Sequence, residues 1–119
     1  MNRTFQEDTI VAVATPRGRG AVGIVRLSGP KALETVGSCL SDEIYPRTFT
    51  RVDARLCLAS TAPFPVVLYV MLAPRSYTRE DVVEIHAPGS PALLAAIVAE
   101  MRRGGRGLPS RASSPGAPF

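Results

Sequence analysis

Metal-binding chemistry has little to work with in this chain. It contains two cysteines, Cys39 and Cys57, and one histidine, His86. None of them falls in a CxxC or HExxH spacing that would clamp an ion. Long apolar runs are also missing. The stretch from Pro65 to Ala73 is strand-sized and far short of the roughly 18 residues of a membrane helix, and MNRTFQEDT lacks the apolar core of a signal peptide. A cytoplasmic protein with no membrane partner is expected. Lysine is nearly absent, with Lys31 alone against 13 arginines. At 119 residues there is room for one core, which excludes a multi-domain enzyme.

The formal charge of +4 suggests a nucleic-acid partner until its location is considered. Four of the 14 basic residues, Arg102, Arg103, Arg106 and Arg111, follow Glu100, the last acidic residue, so residues 1–101 hold 10 charges of each sign. The basic bias belongs to the C-terminal segment, and a phosphate-tracking surface on the folded part loses most of its support.

Apolar patterning gives the order β, β, α, β, β, β, α. Strands are expected at Thr9–Ala14, Val22–Ser28, Arg51–Ser60, Val66–Ala73 and Asp81–Ala87, from β-branched runs closed by Gly and Pro. Pro63 and Pro65 are expected to stay out of a central ladder. Leu33, Val36 and Leu40 predict a short helix from about Pro30 to Leu40. Ser90-Pro91 starts a second helix, whose apolar face of Leu93, Leu94, Ile97, Val98 and Met101 ends at Gly104-Gly105. This is an α+β pattern: a small mixed sheet of about five strands with two main helices on one face. Residues 106–119 are rich in Pro, Gly and Ser and are expected to be disordered.

Gly18-Arg19-Gly20-Ala21-Val22-Gly23 matches GxGxxG, but the following residues, IVRLS, are strand-forming. A dinucleotide fingerprint needs a helix there. The alternative is a glycine loop that lets a ligand or another subunit approach the backbone. In DVVEIHA, Val83 and Ile85 share one strand face while Val82, Glu84 and His86 share the other, so Glu84 can reach a pocket or solvent.

Two blocks, DTIVAVATPRGRGAVGIVRLSGPKALE (8–34) and APRSYTREDVVEIHAPGSPALL (73–94), carry a family likeness. In order and spacing they resemble the N-terminal domain of the MnmE (TrmE) family of tRNA modification GTPases. The resemblance implies a folate-binding and dimerisation domain over residues 1–105, similar in fold to that of aminomethyltransferases. It also implies a tetrahydrofolate cofactor of the 5-formyl or 5,10-methylene type, which supplies a one-carbon unit for wobble-uridine modification of tRNA. The family's partner is the FAD-dependent subunit MnmG (GidA).

Glu84 matches the family's binding glutamate and Arg26, in GIVRLSG, its binding arginine. A carboxylate can accept two adjacent N–H donors from a pterin edge, and a guanidinium can meet formyl or carboxylate oxygens. Spacing alone favours ordinary sheet residues facing water or each other, since ion pairs on sheets are common, as a structural dimerisation module without ligand would have; the resemblance is what favours ligand contacts.

Departures from the family pattern fall at Arg79 and at Ala87-Pro88-Gly89-Ser90-Pro91. The family's folate-contacting lysine, its P-loop and its catalytic cysteine motif have no counterpart here. No catalytic residue and no GTP site are therefore expected, and the chain is expected to be inactive alone. The end, PSRASSPGAPF, has a codon set that yields EPGEFTRRAF when read from one nucleotide before the Ser110 codon. That string contains the family's PGEFxxRAF motif, so residues 106–119 are read as an out-of-frame tail.

Overall fold

The computed structural model describes residues 9–14, 21–44, 49–59, 61–73 and 80–104. Gly18, Gly20, Arg79 and the segment 106–119 lie outside them. The elements are β1 (Ile10–Val13), β2 (Val22–Ser28), α1 (Ala32–Gly37), β3 (Phe49–Leu56), β4 (Phe64–Met71), β5 (Val82–Pro88) and α2 (Pro91–Arg102). The strands form one sheet in the order β1-β2-β5-β4-β3. Its four ladders are all antiparallel, whereas a mixed sheet was expected. The chain crosses from β2 to the far edge through α1, then returns strand by strand, so each neighbour arrives reversed.

Alternation along the strands builds the core. Val25 and Leu27, Val83 and Ile85, and Leu68 and Val70 are fully buried on the face covered by the helices. Each such side chain contributes about 1.5–3 kcal/mol of apolar burial. From α2, Leu94, Ile97, Val98 and Met101 join the same cluster. The helix starts where the sequence indicated: the Ser90 hydroxyl accepts from the Leu93 N–H at 3.2 Å, Pro91 follows, and Gly104 beyond the end has φ 91°.

Two further expectations need correction. In α1 the buried stripe is Ala32, Thr35, Val36 and Cys39, one residue ahead of the expected Leu33 and Leu40, and the helix covers only Ala32–Gly37. The reason is the preceding turn. Gly29, at φ 137°, donates to the Asp81 carbonyl at 2.9 Å, and the Lys31 N–H bonds the Thr9 hydroxyl at 3.0 Å, which delays and rotates the helix start. Pro65 does enter β4, opposite Arg55, but the β4–β5 ladder begins only at Val67. Among the described residues Pro65 has a strand neighbour on one flank only, so a missing N–H is tolerated.

Gly23 sits on the helix face of β2, where a Cβ would lie 2.5 Å from Leu94 Cδ1. The third glycine of the GxGxxG string therefore admits α2 rather than a ligand. Gly23→Ala is expected to lower stability by about 1–3 kcal/mol through overpacking. Urea unfolding measures this, and an unchanged midpoint would mean that Leu94 swings aside without cost.

Candidate functional site

Among the described residues no helix covers the opposite face of the sheet, and the antiparallel register arranges its side chains in rows. One row runs Ala12, Arg26, Glu84, Tyr69, Arg51 across all five strands, each residue directly opposite the next. Directly opposed side chains stand about 5 Å apart, within reach of each other. Arg26 and Glu84, the two residues singled out from the sequence, are thus neighbours. Arg26 Nε donates to Glu84 Oε2 at 3.0 Å and Nη2 donates to the same oxygen. The other carboxylate oxygen, Oε1, lies 3.2 Å from His86 Nε2.

The Glu84 side chain is 16% exposed and that of Arg26 43%. Partial burial pushes the Glu84 carboxyl up. Hydrogen bonds from Arg26 and His86, together with the charge of Arg26, outweigh this and hold it below the ordinary range. Glu84 is therefore an anion at neutral pH, fixed in orientation from both sides.

Sequence reasoning did not single out Tyr69, His86 or Arg51 as site residues. The Tyr69 and His86 rings lie 4.6 Å apart between centroids, tilted by 59°. Tyr69 separates two shallow hollows. One, of about 400 Å³, is bordered by Phe49, Arg51, Tyr69, Met71 and Glu84. The other, of about 470 Å³, is bordered by Val22, Asp53, Pro65, Val67, Tyr69 and His86. Arg51 Nη1 also bonds Asp53 Oδ2 at 3.3 Å, and a hydrogen bond with Tyr69 and the Asp53 charge hold its guanidinium above the ordinary value. The alternation of VEIH already placed His86 beside Glu84. Tyr69 and Arg51 become neighbours of Glu84 only through cross-strand register, which no single strand encodes.

The sequence profile described as "GTP-binding protein TrmE N-terminus" matches residues 9–117. The chain belongs to this TrmE N-terminal family. It is 44% identical over 95 residues to the tRNA modification GTPase MnmE of Legionella pneumophila (strain Paris), an alignment covering 78% of this chain and 21% of the relative. To the protein of that name in Francisella tularensis subsp. holarctica (strain FTNF002-00 / FTA) it is 42% identical over 98 residues, covering 79% and 20%. To that of Chlamydia abortus (strain DSM 27085 / S26/3) it is 35% identical over 109 residues, covering 83% and 24%. The chain thus spans about a fifth to a quarter of the length of these relatives.

In this TrmE N-terminal chain the divergent segment Ala87–Pro91 makes an ordered passage from β5 into α2. Pro88 still pairs with Val22, the Gly89 N–H bonds the Ala21 carbonyl at 3.0 Å, and Ser90 caps the helix. Among the described residues, no three His, Cys, Asp or Glu side chains group to hold a metal, and no helix is long and apolar enough to cross a membrane.

Proposed function

We propose that the chain is the folate-binding and homodimerisation module of a cytoplasmic GTPase that modifies the wobble uridine of tRNA. It holds a 5-formyl- or 5,10-methylene-tetrahydrofolate as one-carbon donor and works with the FAD-dependent subunit MnmG and tRNA. The supporting observation is the Arg26–Glu84 pair, an oriented carboxylate on an open sheet face beside a hollow with aromatic and apolar walls. A pterin edge offers adjacent N–H donors, and a carboxylate accepts them best when ionised and prealigned. Glu84 Oε1 is the oxygen to receive them, because its bond to His86 is longer than the Arg26 Nε bond to Oε2. Arg26 keeps the carboxylate charged and stationary while the ligand docks. The chemistry proposed for this site is binding.

The edge strand β1 supports dimerisation. Ile10 is 63% and Val13 50% exposed on a four-residue strand that, among the described residues, pairs with β2 alone, a surface that gains from being covered. A second reading, a structural dimerisation module that takes no ligand, is favoured by one observation: Arg26 and His86 already occupy both Glu84 oxygens. Equilibrium dialysis against 5-formyl-tetrahydrofolate, with sedimentation of the same sample, separates the two readings. Saturable uptake approaching one ligand per chain is the expected result. A dimer that takes up no folate would favour the structural module.

A further inference from the structure

The hollow on the β3 side of Tyr69 contains a positive charge, Arg51, that a pterin ring held at Glu84 leaves without a role. Glu84, Tyr69 and Arg51 are consecutive partners across β5, β4 and β3. Glu84 and Arg51 therefore rise from the sheet two strand spacings apart, roughly 10 Å. Between and beside them lie Tyr69, 37% exposed, and Phe49, 60% exposed, with Met71 in the floor of the same hollow. From end to end the hollow presents an acceptor, an aromatic and apolar middle, and a planar cation.

We infer that Arg51 binds the anionic tail of an elongated ligand whose heterocyclic end is held by Glu84 and whose middle lies against Tyr69 and Phe49. This rests on the folate reading and extends it: a reduced folate has ring N–H donors at one end, a flat benzoyl group, and carboxylates at the other end. The order of these groups matches the order of side chains along the hollow.

Arg51 is available for this exchange. Its present partners are Tyr69, through a hydrogen bond, and Asp53; the Arg51 and Asp53 side chains are 55% and 73% exposed, so their ion pair is hydrated and weak. A ligand carboxylate delivered by a ring already seated at Glu84 competes at high effective concentration. Arg51 can also offer a planar two-donor fork, which suits a carboxylate better than an ammonium does. Arg55, four residues further along β3 on the same face, stands opposite Pro65 and does not border this hollow. It serves as the control.

The test is calorimetry on the wild type, Arg51→Ala and Arg55→Ala with two probes, 5-formyl-tetrahydrofolate and a tetrahydropterin that lacks the benzoyl-glutamate tail. Arg51→Ala is expected to weaken the tailed ligand about 5- to 10-fold, the range for an exposed charge-assisted contact, and to leave the tailless one unchanged. Arg55→Ala should change neither. The wild type's preference for the tailed probe should shrink in high salt, because the contact is exposed to counterions. Equal affinity of wild type and Arg51→Ala for the tailed probe would overturn the inference while leaving the folate reading intact. Equal losses for both probes would overturn it too, by showing that Arg51 acts on the shape of the site. Binding of neither probe to the wild type would defeat the folate reading and the inference with it.

Discussion

Replacing Leu68 by alanine is expected to remove about 2–5 kcal/mol of stability, the range for truncating a buried leucine whose surroundings cannot close the cavity. Leu68 is fully buried at the middle of β4, opposite Val52 on one side and Ile85 on the other. Hydrogen-bonded strands flank it on both sides, so the backbone has little freedom to collapse into the void. A small fold has only about 5–15 kcal/mol to lose, so this change should bring the protein close to unfolding at ambient temperature. Phe49→Ala is the matching control. It deletes a larger side chain, but Phe49 is 60% exposed on the opposite face, and its loss should cost under about 1 kcal/mol. Urea midpoints for both variants report the difference, and equal shifts would contradict a core confined to the helix-covered face.

The second large effect concerns binding. Glu84→Gln keeps the shape of the side chain but replaces one acceptor oxygen with an N–H₂ donor, which then faces Arg26, His86 or the ligand's own donors. Loss of folate affinity worth about 2–4 kcal/mol is expected, as for a charge-assisted pair with one partner mismatched. Stability should change far less, because Arg26 is 43% exposed and water can take over its solvation. Arg26→Lys should weaken binding as well, since an ammonium cannot hold the carboxylate through two N–H groups of one plane.

The acid dependence follows from the direction of the Glu84 shift. Its native pKa lies below the ordinary 4.5. The carboxylate's contribution to stability is therefore fully present above that value and is lost as pH falls through the lowered native one. Glu84→Gln should flatten this acid limb of the wild-type stability profile. An unaltered limb would show that the Arg26 and His86 contacts contribute nothing to it.

Much of this architecture is legible in the residue order because it depends on local chemistry. Val22–Ser28 is β-branched and bounded by Gly29-Pro30, and it forms a strand with those limits. Ser90-Pro91 caps α2 because a serine oxygen followed by a residue without an N–H suits a helix start whatever surrounds it. Glu84 and Arg26 could be named from the family's motifs. Their mutual contact stayed one alternative among others, since deciding it requires Arg26 to stand opposite Glu84 across β2 and β5, 58 residues apart in sequence. The same limit hid Tyr69 and Arg51: each sits in an ordinary alternating strand, and only the antiparallel order β5-β4-β3 aligns them with Glu84. The helix-facing role of Gly23 was likewise invisible, because the approach of Leu94 is a tertiary event. In α1 local pattern was misleading, since the hydrogen bonds at Gly29 and Lys31 set the phase of a helix too short to impose its own.

The claim that most depends on the structure is that folate occupies the open face of the sheet. Amide chemical-shift mapping of the isotope-labelled protein during titration with 5-formyl-tetrahydrofolate tests it most directly. Shifts at Arg26, Glu84, His86, Tyr69 and Arg51 that saturate together, with Leu94, Ile97 and Met101 unmoved in the helix layer, are the expected result. Saturating shifts centred on α2, or none at the Arg26–Glu84 pair, would contradict it.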